Sequence, residues 1–312
     1  MLAIANAPVS YGAFELTVGI YPDVPDGEGV LSAVASAGYQ GIDLGPVGYL
    51  GHGAALAENL RRHSLGLAGG YLEIPFHDTD QFQSALPELD ELLAAFDVAA
   101  PVNKELGLPG PRATIAVISQ GNRREVPGQA VGDRSLGYTD AQWDAFGRNA
   151  ERVAQYCRER GYAPVFHNES GGNIEAPWEL EEVLRLTSFD LCLDTGHLLV
   201  GGGEPVSFYA QHAARITHLH LKSAHRSQIE EIVRNGEDVE ALWRRRVFCR
   251  LGEGDFNLND FLREAKQTGY DGWLVIEQDI FPDPESMAAT AQNQIHNIAE
   301  LRAALALEGM SV

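Results

Sequence analysis

Residues 189–200 read FDLCLDTGHLLV and, after a Gly-rich break, residues 216–222 read ITHLHLK. Each stretch begins as a short apolar run and ends in groups that bind metals or move protons: Asp194 and His197 on the first, His218 and His220 on the second. A third run, WLVIEQD at 273–279, ends in Glu277 and Asp279. Continuous apolar runs of this length mark parallel strands buried on both faces. In a barrel of such strands, residues at the C-terminal strand ends converge on one site. Carboxylates and imidazoles delivered there predict a divalent-metal centre, and therefore an enzyme.

Outward from these runs, strand-like and helix-like segments alternate along the whole chain. LAIANA (2–7), GIDLGPV (41–47), LAGGYLEI (67–74), ATIAVIS (113–119) and APVFHN (163–168) supply the first five expected strands, and the three runs above supply the last three. Between them lie helical patterns at 29–40, 54–66, 81–99, 139–161, 178–187, 206–215 and 258–269, with a last one at 284–307. Residues 120–137, rich in Gly and charge, are an expected long loop, and 224–250 a charged, loop-like region. Eight strand–helix units predict a (β/α)8 TIM barrel forming a single domain over residues 1–312. The rival doubly wound sheet would carry a GxGxxG turn after the first strand, which NAPVSYG does not.

Lys and Arg total 23 against 44 Asp and Glu, a formal net charge of −21. That field repels nucleic-acid backbones and anionic membranes, so neither is an expected partner. The chain lacks a run near the ~18 apolar residues of a membrane span. Its N-terminus, MLAIANAPVSYG, reads as a strand and not as a leader, so a cytoplasmic location is expected. Cys157, Cys192 and Cys249 have no paired spacing, which argues against disulfides and a thiolate metal site.

Asp194 has two readings, a metal ligand at a strand end or the N-cap of a following helix. His218 and His220 alternate and so share one strand face; His220, nearer the C-terminal end, is the better ligand candidate. Glu277 is the analogous carboxylate on the last strand, or else a buried partner of Lys222. The fifth strand runs into HNESGGNIEA, where His167, Glu169 and Glu175 are all candidates. Asp43 ends the second strand, as a capping turn residue or a substrate contact. Lys222, His225 and Arg226 form a cationic cluster able to meet an oxyanion or to neutralise nearby carboxylates. Carboxylates with one imidazole suit Mn²⁺ or Co²⁺, with Mg²⁺, Fe²⁺ and Zn²⁺ also compatible.

The motifs GYQGIDLGPVGYLG (38–51), LGLAGGYLEIPFHD (65–78), LCLDTGHLLVGGGEPVSF (191–208), RITHLHLKS (215–223), LGEGDFNLNDFL (251–262) and GYDGWLVIEQD (269–279) resemble the sugar phosphate isomerase/epimerase superfamily of xylose-isomerase-like TIM barrels, inosose dehydratases most closely. That resemblance implies one divalent metal held by Asp194, His220, Glu277 and either Glu175 or Glu169, with Glu175 preferred. It implies substrate contacts from His197 and Arg226; Asp43, His167 and Glu169 are expected beside them from their strand-end positions. The implied reaction is removal of a proton α to a ketone by Glu175 or Glu277, with His197 or a neighbouring acid protonating the departing hydroxyl. Dehydration of a keto-inositol is the leading expectation, and sugar isomerisation or epimerisation the alternative. An endonuclease or a non-catalytic sugar-binding barrel is disfavoured, and homo-oligomerisation stays open. The segment His167-Asn168-Glu169 departs from the family's His-x-His pattern, and Asp43 stands where a Glu is usual.

Overall fold

The computed structural model describes residues 1–118 and 121–312. Its strands are β1 (Leu2–Asn6), β2 (Gly41–Ile42), β3 (Gly66–Leu67), β4 (Gly69–Ile74), β5 (Arg112–Val117), β6 (Pro164–His167), β7 (Asp190–Asp194), β8 (Ile216–Leu221), β9 (Ser223–Ala224), β10 (Phe248–Cys249) and β11 (Gly272–Ile276). All but β9 and β10 form one parallel sheet in the order β3-β2-β1-β11-β8-β7-β6-β5-β4. β3 and β4 are consecutive pieces either side of Ala68, one paired with β2 and the other with β5. Leu44 N–H donates to Gly69 O and Arg112 N–H to Ala68 O, which closes the sheet into the expected barrel. β9 and β10 make a short antiparallel ribbon beyond the end of β8.

The helices are α1 (Gly27–Ala37), α2 (Ala54–His63), α3 (Thr79–Leu106), α4 (Asp140–Glu159), α5 (Pro177–Leu186), α6 (Thr195–Val200), α7 (Pro205–His212), α8 (Arg226–Asn235), α9 (Ala241–Arg244), α10 (Leu258–Gln267) and α11 (Pro284–Leu307). Their ends follow local chemistry. Asp26 caps α1 by accepting from Gly29 N–H, and Gly38, at φ 93°, ends it. Thr139 and Gln142 form a capping box at the start of α4. Two expectations need correction. The helix expected over 81–99 runs on to Leu106 through Pro87 and Pro101. The region 224–250 is not mainly loop: α8 lies there, with Ile229 and Ile232 buried beneath its charged face. Ser119 and Gln120, which end the expected fourth strand and open the expected long loop, lie outside the described residues. Residues 121–137 include two 3-10 turns.

Alternation along the strands sorts the residues. Leu2 and Ile4 pack under the helices, whereas Ala3 and Ala5 face the barrel interior with Trp273 and Val275. Trp273 fills the N-terminal end of the barrel so tightly that a Cβ on Gly41 would lie 2.5 Å from its ring. Further along the same strands the interior positions turn polar: Thr114, His167, Asp194, His218, His220 and Glu277. Among the described residues no helix is long and apolar enough to cross a membrane.

Candidate metal centre

Strand register assembles the site. A register shift between Leu191 and Cys192 sets Asp194 opposite His220, and His167 pairs with Cys192. On the other side Val275 stands opposite His220, so Glu277 emerges just above. The ligand-capable atoms of His167, Asp194, His220 and Glu277 consequently lie within 4.8 Å of one another, all buried. His220 Nδ1 is 3.3 Å from Glu277 Oε1 and 4.0 Å from Asp194 Oδ2, and His167 Nε2 is 3.7 Å from Asp194 Oδ2. Both nitrogens of His220 lack a well-formed hydrogen bond, and Asp194 Oδ2 is met by the Lys222 ammonium at 3.0 Å without one. Buried polar atoms left so are costly, and a divalent cation is the partner that two imidazoles and two carboxylates fit.

Asp194 answers both of its sequence readings. Its Oδ1 accepts the His197 N–H at 2.8 Å and caps α6, while Oδ2 turns to the cluster. Burial alone would push its carboxyl up, but the Lys222 ammonium beside it holds it well below the usual range. Glu277, despite burial, is held down in the same way by His220 and Lys222.

Lys222 is the residue whose importance the sequence understated. Its ammonium lies 3.0 Å from Asp194 Oδ2, 3.0 Å from Glu277 Oε2, 2.7 Å from Asp279 Oδ1 and 2.9 Å from His197 Nε2. Burial opposes its charge, but Asp194, Asp279 and Glu277 outweigh that and raise its pKa. Its stem runs over Gly196, where a Cβ would approach Lys222 Cγ to 2.6 Å. The signal was present, because Lys222 continues the inward alternation of His218 and His220.

His167, His197, His220, Lys222 and Glu277 line a cavity of about 570 Å³ at the C-terminal strand ends. Tyr71, Glu73, Glu169, Asp279 and Trp243 are among its walls. Burial raises the Glu169 carboxyl well above its ordinary value, partly countered by Lys222. Burial also pushes Asp279 up to about 6, with Glu277 and Asp194 adding to the effect. His197 sits 3.3 Å from Glu169 Oε1, and its Nδ1 is 2.7 Å from Ser170 Oγ. Burial and then Lys222 keep it neutral.

Several expected residues lie elsewhere. Glu175 does not join the cluster. Its carboxylate accepts from Gly171 N–H and Gly128 N–H at 2.9 Å each and pairs with Arg123 at 3.4 Å, so the turn after β6 folds it into the packing beneath the loops. His167, one of the three fifth-strand candidates and expected as a substrate contact, lies in the cluster instead. Arg226 is not a cavity residue either: as the first residue of α8 it reaches Glu204 at 2.6 Å. Asp43 does line the cavity, with Oδ2 3.3 Å from His220 Nε2. His218 lies one step below, neutral by burial, with neither nitrogen hydrogen bonded.

A family model described as xylose isomerase-like TIM barrel matches residues 31–299. The chain is 28% identical over 284 residues to the rhizopine catabolism protein MocC of Rhizobium meliloti, covering 89% of this chain and 82% of that protein. It is 25% identical over 276 residues to inosose dehydratase of Geobacillus kaustophilus, covering 86% of each. Among solved structures, an L-ribulose 3-epimerase superposes with a TM-score of 0.64 at 16% identity, over 99% of this chain and 96% of that one.

Proposed function

We propose, for a chain that belongs to the xylose isomerase-like TIM barrel family, a metal-dependent lyase that dehydrates a keto-inositol or related keto-sugar by removing a proton α to the carbonyl. The observation that carries this reading is the buried cluster of His167, Asp194, His220 and Glu277, of which His167, His220 and Glu277 line the cavity. Relatives named inosose dehydratase support the dehydration and the substrate class. We take residues 1–312 as one catalytic domain, acting in the cytoplasm on a small molecule.

The four cluster residues would hold the ion, with Mn²⁺ or Co²⁺ expected. A bound divalent ion would polarise the substrate ketone and so acidify the adjacent C–H. Glu277, kept ionised by His220 and Lys222, receives that proton as general base. Glu169, kept protonated by burial on the cavity wall, supplies the proton that leaves with the β-hydroxyl. His197, neutral and committed to Ser170 and Lys222, serves as a wall against the substrate and not as the acid. The Lys222 ammonium faces the same cavity and offsets negative charge that develops on the substrate oxygen.

The test is incubation of Mn²⁺- or Co²⁺-loaded protein with 2-keto-myo-inositol. Growth of the diketone chromophore is expected. Exchange of substrate deuterium into solvent without loss of water would overturn dehydration in favour of epimerisation, which has the same first step.

A further inference from the structure

Asp43 reaches the barrel interior on a short strand held from both sides. Its N–H donates to Asn6 O at 2.8 Å, and the next residue, Leu44, donates to Gly69 O at 2.9 Å. Asp43 is 5% exposed, and its Oδ2 lies 3.3 Å from His220 Nε2, an ion-pair contact just beyond the distance of a well-formed hydrogen bond. The opposite nitrogen of that ring, Nδ1, is the one that faces Glu277 and Asp194. An imidazole can offer a lone pair at one nitrogen only if its proton is on the other. Among the described residues, Asp43 is the carboxylate in ion-pair range of Nε2. Cys192 and His218, the other polar neighbours, are a buried thiol and a neutral imidazole, weaker acceptors than a carboxylate.

We propose that Asp43 is a positioning residue: it takes the Nε2–H of His220, fixing the ring's tautomer and rotation so that Nδ1 is presented to the metal. This rests on the metal-centre reading above. It assigns to Asp43 a role different from substrate contact, although the residue borders the cavity. Carboxylate partners of this kind tune metal affinity without touching the ion.

Two measurements on the full-length protein test it. Titration with Co²⁺ is expected to give a dissociation constant raised roughly 10- to 100-fold in Asp43→Ala, and less in Asp43→Asn, which keeps an acceptor oxygen. An unchanged constant in a folded Asp43→Ala protein overturns the proposal. The second needs no variant: in Zn²⁺-loaded wild-type protein with ¹⁵N-labelled histidine, His220 should carry its proton on Nε2 and its metal on Nδ1. The reverse assignment overturns the role of Asp43 while leaving the metal centre standing. Wild-type protein that takes up no divalent ion overturns both together.

Discussion

Lys222 Nζ and His197 Nε2 lie 2.9 Å apart in the cavity wall, a contact in which only the ammonium can donate. His197 therefore keeps its proton on Nδ1, directed at Ser170 Oγ. The lysine also meets Asp194, Glu277 and Asp279, so one cation fixes three carboxylates and the orientation of an imidazole.

Replacing it should expose that dependence. Lys222→Met is expected to lower kcat about 10²- to 10³-fold, the range for losing one well-placed donor, with the barrel still folded. Lys222→Arg should rescue little, because Gly196 leaves no slack around the stem. Steady-state kinetics beside circular dichroism check both.

Glu175 and Glu277 should separate cleanly. Glu277→Gln is expected to lose bound metal and turnover together. Glu175→Gln should keep its metal and cost about 1–3 kcal/mol of stability, since one of its buried hydrogen bonds is weakened or lost. Elemental analysis and urea unfolding of the two proteins decide it; metal loss in Glu175→Gln would return that residue to the site.

Arg123 is fully buried between Glu179, at 2.6 Å, and Glu175, at 3.4 Å. Arg123→Met strands two carboxylates in the interior, and breaking a buried pair this way costs about 3–5 kcal/mol. Chemical denaturation should register that loss, and Arg123→Met/Glu179→Gln should recover part of it.

The buried thiols predict behaviour at alkaline pH. Burial pushes Cys157 up to about 12, and Cys192 and Cys249 up to about 11. In the unfolded chain the same thiols ionise at their ordinary, lower values, so between about pH 9 and 11 the unfolded state binds fewer protons than the folded one. Stability should fall as pH rises through that window, and a Cys157→Ala variant should show a shallower fall. Thiol reagents at pH 8 should label none of the three until denaturant is added.

The barrel was legible because both periodicities were intact. Apolar runs marked the strands, and helix-period patterns marked the helices between them. Asp194, His220 and Glu277 were legible for a related reason: a strand that ends in a polar residue must deliver it to the barrel mouth. The fifth strand was harder. His167, Glu169 and Glu175 follow one another into a Gly-rich turn, and only the path of that turn separates the interior from the packing beneath. The partner that draws Glu175 away, Arg123, lies 52 residues earlier in the chain, where a linear reading has no means of pairing them. Arg226 failed for a similar reason, since its company is set by the start of α8 and by Glu204.

Asp194 joins two events that are separate in most proteins. Because one carboxylate both closes the first turn of α6 and faces the cluster, that helix cannot fray without disturbing the cluster. The backbone proton of His197, held on Asp194 Oδ1 at 2.8 Å, is thus a built-in reporter. Its exchange with deuterated solvent is expected to slow when the centre is occupied, a change read from the main chain with no substrate present.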